Sequence, residues 1–205
     1  MKRLVLVLAL VLISASVFAK ALIYTPTGES IDGVAASYDV GLDDNGHMFN
    51  LGVGLFGAEL SYTNYLVDFD ADKLVPDSSS VFSAQWQFIP ETGLTPSIAI
   101  GAKDFTTDLS KNPSFYAVAT KDLAAYIPVK LIDKLSVSAG VGTKTLSGLF
   151  GSAEVGMGMF YVDCEAFKDN FNWGGGVNLL NDTVRLEYKN FDKSSYAGVY
   201  FGLVF

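Results

Sequence analysis

The chain has 205 residues, half of them hydrophobic by a broad count, and 22 acidic against 14 basic residues give it a formal charge of −8. So acidic a chain does not seek nucleic acid, whose recognition needs a basic surface. Its one cysteine, Cys164, excludes a disulfide framework and a Cys-rich metal site. Mean hydropathy is positive, yet no internal run reaches the ~18 apolar residues of a spanning helix. Strands that show one face to lipid reconcile the two.

Residues 1–19 read as a secretory leader. Lys2 and Arg3 supply the positive start, Leu4 to Ile13 is unbroken apolar sequence, and Ser14 to Ala19 offers small residues for cleavage after Ala19 or Ala21. Removing the two leader bases makes the remaining chain more acidic still. Residues 20–32 contain Thr25-Pro26-Thr27-Gly28 and lack alternation. They read as an irregular periplasmic lead-in, tucked into or across the mouth of a barrel that occupies residues 33–205.

From Gly33 onward short alternating segments follow one another with turn residues between them. Val34, Ala36, Tyr38, Val40 and Leu42 oppose Ala35, Ser37 and Asp39, and Asp43-Asp44-Asn45-Gly46 turns the chain. Phe49, Leu51, Val53 and Leu55 then oppose Asn50, Gly52 and Gly54. After a tight turn at Phe56-Gly57, Ala58, Leu60 and Tyr62 oppose Glu59, Ser61 and Thr63. Beyond the polar loop 68–79, Phe82, Ala84, Trp86 and Phe88 alternate with Ser83, Gln85 and Gln87. Pro90-Glu91-Thr92-Gly93 is a turn, and Ile98, Ile100 and Ala102 then oppose Ser97, Gly101 and Lys103. After the loop 104–113, Tyr116 and Val118 are assigned to the apolar row against Ala117, Ala119 and Lys121. The stretch 122–134 is the hardest to place, because Pro128 breaks any strand through it. Leu135, Val137, Ala139 and Val141 resume the alternation, followed by a strand over Leu149–Met157. In the next, Val162 and Cys164 share a face opposite Asp163 and Glu165. Phe171, Trp173, Gly175 and Val177 follow, then Val184, Leu186 and Tyr188 against Arg185, Glu187 and Lys189.

These segments make about twelve strands, with roughly 15 residues for each strand and its connection, which suits spanning strands of ~9–11 residues. Eight strands would need far longer loops, and sixteen would leave too little chain. With an even count both termini return to one side, the loops 68–79 and 104–113 share the other, and the tight turns at 56–57, 90–93 and 181–182 lie on the side of the termini. The predicted fold is an all-β, transmembrane, antiparallel, up-and-down β-barrel in an outer membrane, with outer-membrane lipid and the barrel-insertion machinery as its partners. The sequence names no oligomeric state.

Asp39, Glu59, Lys103, Lys121, Asp163, Glu165, Arg185, Glu187 and Lys189 all fall opposite the apolar row of their own strand. A Lys or Arg facing lipid at the midplane costs ~2–4 kcal/mol, so a membrane demands this sorting. A soluble barrel would carry the apolar row inside instead, and alternation alone fits both. The leader, the ending on Phe205 and a polar face rich in Gly, Ala, Ser and Asn decide for the membrane, with that face leaving room for space or water. Tyr38, Tyr62, Trp86, Phe88, Tyr116, Phe160, Trp173, Tyr188 and Phe205 fall on the apolar row, many near strand ends where interfacial girdles belong. The charges from neighbouring strands form a network inside the lumen, either stiffening the barrel or constricting a pore.

The last stretch alternates Val199, Phe201, Leu203 and Phe205 with Gly198, Tyr200, Gly202 and Val204. It resembles the terminal signal of bacterial outer-membrane β-barrels, where a final Phe and alternating apolar residues are read by the insertion machinery. A terminal apolar strand invites aggregation unless it pairs with the first strand and closes a barrel. Other pieces run in order along the chain: Leu22-Ile23-Tyr24-Thr25-Pro26-Thr27-Gly28, Phe115 to Lys121, Gly140-Val141-Gly142, Gly148 to Glu154, Glu165 to Asn170, and Trp173-Gly174-Gly175-Gly176. Together they resemble the YjbH-like outer-membrane barrels associated with exopolysaccharide production. Members of that family are typically longer and often lipidated, whereas no cysteine follows the leader here. The resemblance implies a barrel and an accessory role in polysaccharide export or surface assembly.

No catalytic constellation is read. His47, the only histidine, shares the outward row with Phe49 and Leu51, while Ser37 and Ser61 face inward, so it lacks the hydroxyl a Ser-His pair needs. Asp68-Phe69-Asp70-Ala71-Asp72 opens like a calcium loop, but Lys73 stands where glycine is required and Ser79 where glutamate is. Cys164 reads as a small lipid-facing residue. No metal or cofactor is assigned. The expectation is a narrow passive channel for small solutes or ions, with the polysaccharide accessory or a purely structural barrel as alternatives.

Overall fold

A computed structural model describes residues 24–42, 46–66, 78–180, 182–191 and 193–205. The leader, the DFDAD stretch of loop 68–79 and the turn residue Asn181 lie outside these. The described residues form twelve strands: β1 (Gly33–Gly41), β2 (His47–Leu55), β3 (Ala58–Leu66), β4 (Ser78–Ile89), β5 (Ser97–Lys103), β6 (Ser114–Asp122), β7 (Lys134–Gly142), β8 (Gly148–Met157), β9 (Phe160–Phe167), β10 (Asn170–Leu179), β11 (Val184–Phe191) and β12 (Ser194–Val204). Each pairs antiparallel with the next, and β1 pairs with β12 from Gly33↔Val204 to Gly41↔Tyr196, which closes the barrel. The terminal strand therefore has no free edge.

Between Asp122, the last residue of β6, and Lys134, the first of β7, there is no strand. A 3₁₀ turn covers Ala124–Tyr126, and the Asp122 carboxylate accepts the Ala124 N–H at 2.8 Å. Parity is thereby kept, but this connection lengthens the side where β1 begins and β12 ends. That side, the turn end, holds the two-residue turns 56–57 and 158–159 together with the broader 90–96 and 123–133. Among the described residues the opposite, loop end holds 104–113, 143–147 and a tight connection at 168–169. The contrast of long and short connections is weaker than the sequence suggested.

The faces sort as the alternation predicts in most strands. Trp86 is 55% exposed and Phe201 45% on the outer wall, while Arg185 is 4% exposed inside. The exception is β6. Ser114, Tyr116, Val118 and Thr120 point inward, while Phe115, Ala117 and Ala119 point outward, and Lys121 follows them at the turn end. Phe-Tyr-Ala-Val-Ala is apolar on both rows, so alternation could not separate them, and a slip of one residue exchanges the faces. Position 101 supplies the missing information. Gly101 pairs with Tyr116 across the β5–β6 ladder, and a Cβ built on it would lie 2.4 Å from the Tyr116 ring. Phe150 covers Gly140 from β8 in the same way, with its ring 2.2 Å from the corresponding Cβ position. The small residues of the inner face thus make room for rings from neighbouring strands, in addition to lining free space.

Gly101→Val pushes Tyr116 off its seat and meets the Ala84 carbonyl oxygen, 2.6 Å from the new Cβ. It should destabilise the barrel by about 1–3 kcal/mol, read as a lower denaturant midpoint. Gly93→Val, with nothing within 4 Å of its Cβ, should leave the midpoint unchanged.

Candidate functional site: a lumen filled by the chain's own lead-in

The lead-in does not stop at the mouth. Residues 24–32 run through the lumen, from Tyr24 at the loop end to Asp32 beside the turn end. Tyr24 stacks on Phe167 and Phe191, with ring centroids 5.0 and 5.7 Å away. Both are the last residues of strands that rise to the loop end. Ile31 packs with Ala35 and Tyr200 at the other end, and the Phe205 N–H donates to the Asp32 carbonyl. Pro26 has no N–H to donate and holds Thr25 extended, so this segment is ill suited to joining a ladder.

Its polar backbone groups are instead met by side chains of the wall. The Glu165 Oε2 accepts the N–H groups of Tyr24 and Thr25 at 2.9 and 2.7 Å and the Thr25 hydroxyl at 2.8 Å. The Asn172 side-chain amide donates to the other Glu165 oxygen at 2.7 Å. Lys103 Nζ donates to the Tyr24 carbonyl at 2.9 Å and lies over the Tyr24 ring. Lower down, the Gly28 N–H donates to Thr120 Oγ1 at 2.7 Å, and Gln85 donates to the Glu29 carbonyl at 2.7 Å. The N–H and hydroxyl of Ser30 donate to Gln87 Oε1, and the Ile31 N–H donates to Glu59 Oε2 at 3.0 Å. A buried backbone group left without a partner is costly, so these wall residues make the interior habitable for an irregular segment.

The nine predicted lumen charges divide into three sets. Glu59, Lys103 and Glu165 hold the lead-in. Asp39, Glu187, Lys189 and Arg185 gather on the β1–β11 side, where Lys189 Nζ lies 2.9 Å from both Asp39 Oδ1 and Glu187 Oε1. Tyr161 donates to Glu187 at 3.0 Å and faces the Arg185 guanidinium, 4.9 Å from its ring centroid. Asp163 is buried nearby on β9, its Oδ1 occupying the space a Cβ on Gly174 would need. Lys121 is placed differently. It stands at the turn-end rim of the outward row, 2.7 Å from Glu91, and also donates to the Thr92 carbonyl.

Glu154 belongs beside Arg185, 4.0 Å from its Nη1 and 3.0 Å from Lys134 Nζ. It is not among the nine predicted charges, although the alternation that places Asp163 and Glu165 inside also places a glutamate opposite Val155 there. Gln85, Gln87, Thr120 and Asn172 were missed as well. Their role depends on where residues 24–32 lie, which alternation does not encode.

The lead-in does not fill the section evenly. Between it and the β1–β4 wall remains a cavity of about 150 Å³. Ser37, Asn50, Ser61, Thr63 and Ser83 line it from the wall, and Lys103, Lys189, Glu59 and Glu187 also border it. The Asn50 amide donates to Ser37 Oγ at 2.8 Å. Neutral dipoles and paired charges of this kind solvate a small polar species. His47 stands apart on the outer wall, its ring 5.7 Å from that of Tyr38. Among the described residues no group of three His, Cys, Asp or Glu side chains is placed to hold a metal ion. Val199, Phe201, Leu203 and Phe205 form the exposed outer row of β12 and the residue after it.

No family model matches the chain, and no curated protein matches it. Among solved structures, three mutant forms of the Rh. blastica porin match at 12, 12 and 14% identity, with TM-scores of 0.34, 0.34 and 0.35. Each alignment covers 78% of this chain and 56% of the porin, so the chain spans little more than half the length of the porins it matches. The class defined by the chain's own strand pairing is a closed, twelve-stranded, antiparallel β-barrel.

Glu165→Ala removes the acceptor for two backbone donors and the Thr25 hydroxyl. Each buried donor so stranded costs about 1–3 kcal/mol. Amide hydrogen exchange at Tyr24 and Thr25 should rise sharply and the unfolding midpoint should fall. Glu165→Gln keeps an acceptor oxygen and should lose less.

Proposed function

We propose that the protein is a porin-like outer-membrane barrel that passes small solutes or ions along the polar side of its lumen, between residues 24–32 and the β1–β4 wall. The supporting observation is the cavity itself: it is bordered by hydroxyls, an amide and charges, on the side of the lumen that the lead-in leaves open. The outer wall supports the membrane setting. A nine-residue strand such as β1 or β7, tilted as barrel strands are, rises about 23 Å, close to the ~25 Å apolar band of such barrels. Outer-membrane lipid then covers the exposed apolar rows, and the outward row Val199, Phe201, Leu203 and Phe205 of the closing strand is the feature the insertion machinery would read. In this reading Asp39, Asp163, Glu165 and Arg185 are structural, and Lys103, Lys189, Glu59 and Glu187, which border the cavity, meet the passing solute.

A second reading, the polysaccharide accessory, is favoured by where the family-like pieces fall. Tyr24 to Gly28 is the lead-in itself, Phe115 to Lys121 contains the Thr120 that receives Gly28, and Glu165 to Asn170 begins with the carboxylate that receives Tyr24. Three of the six pieces that resemble the YjbH-like barrels thus belong to the lead-in or its seat.

Purified protein in planar bilayers should give small, discrete conductance steps. Ser61→Trp, which places a ring in the cavity, should lower the step size severalfold without altering heat-modifiable migration on gels. A silent bilayer would retire the conduit and leave the accessory role, which a deletion strain tests through its surface polysaccharide.

A further inference from the structure

Residues 24–32 are held in an unusual manner for a structural element. Their backbone bonds to the wall above Asp32 go to side chains of β3, β4, β5, β6 and β9, namely Glu59, Gln85, Gln87, Lys103, Thr120 and Glu165. Main-chain groups of an extended segment met by side chains of a concave wall are the signature of a peptide-recognition site. Sequence-specific pockets accompany them. Tyr24 fills an aromatic slot between Phe167 and Phe191. The Thr25 hydroxyl shares the Glu165 oxygen with two amides, and the Ser30 hydroxyl shares the Gln87 oxygen with its own amide. Gly28 passes closest to the wall: a Cβ there would lie 2.8 Å from the Thr120 nitrogen and 2.9 Å from the Ser97 carbonyl oxygen. Backbone cannot yield as a flexible side chain can, so only glycine fits that position.

The empty site would also be physically tolerable. Glu165 is 1% exposed with the segment in place, and its partners are the segment and Asn172. Were the segment to leave, Glu165, Glu59, Gln85, Gln87 and Thr120 would line a wider lumen, where water supplies the lost hydrogen bonds. The polar wall groups therefore keep hydrogen-bond partners in either arrangement.

We propose that the inner wall is a binding site for an extended peptide, with residues 24–32 as its resident ligand. Exit of the segment widens the lumen, and a free peptide of the same sequence refills the vacated seat. This deepens the conduit reading by naming what sets its bore, but the site itself depends on neither conduction nor the membrane.

The test uses the full-length chain in detergent micelles, with a fluorescent synthetic peptide spanning Tyr24 to Asp32. Gly28→Val should eject the resident segment while leaving every wall residue unchanged in sequence, raising amide exchange over 24–31 by about tenfold or more while strand amides stay protected. The labelled peptide should bind Gly28→Val saturably and the parent chain hardly at all. Adding Glu165→Ala should weaken that binding about tenfold or more. Unchanged protection in Gly28→Val, no saturable binding, or equal binding of a scrambled peptide would each overturn the proposal. Should Gly28→Val not fold, Thr25→Ala with Ser30→Ala loosens the segment without adding atoms and is read the same way. A silent bilayer beside positive binding would remove the conduit alone, and conductance without peptide binding would remove the site alone.

Discussion

Every strand in this chain serves two environments at once, and that double duty shapes the molecule. The outer rows present Leu, Val, Phe and Trp, while the inner rows carry hydroxyls, rings and glycines together with the carboxylates, amides and bases that need partners inside. A sheet with such faces is stable only if it curls until its last strand meets its first. The β1–β12 ladder, continuous from Gly33↔Val204 to Gly41↔Tyr196, accomplishes this. Closure encloses the polar groups in a narrow space with little room for water, so they must satisfy one another or be satisfied by something brought in.

The chain uses both solutions. Toward β11 the charges pair among themselves: Lys189 is shared by Asp39 and Glu187, and Tyr161 links Glu187 to Arg185. Toward β3–β6 and β9 the wall groups meet the main chain of residues 24–32. A buried carboxylate that accepts several amide N–H groups is stabilised much as one facing a cation would be, which explains how Glu165 is held at the heart of the seat. The remaining space lies where the wall carries Ser, Thr and Asn.

Much of this was legible from the residues. Where one row was plainly apolar and the other plainly polar, as in Phe82–Phe88 or Val184–Lys189, facing and strand count followed directly. The connection between Asp122 and Lys134 also holds no strand, as Pro128 implied. The failures share a cause. In β6 both rows were apolar, so the choice depended on Gly101 in the neighbouring strand, information that a single strand does not contain. Lys121 was drawn to the wrong side with it. The lead-in has no period, so nothing local distinguished a segment at the mouth from one threaded through the barrel. Its signal was distributed: an inner row rich in Glu, Gln and Thr with too few bases to pair them.

Which way the apolar rows face, and what they touch, decides everything else in the molecule. Both tryptophans, Trp86 and Trp173, sit on the outer wall, so intrinsic fluorescence reports on that wall alone. With the protein reconstituted in vesicles, lipids brominated along their acyl chains should quench most of the emission, and iodide in the aqueous phase should quench little. Emission that brominated lipid leaves intact and iodide extinguishes would contradict the account, because the greasy wall would then be facing water.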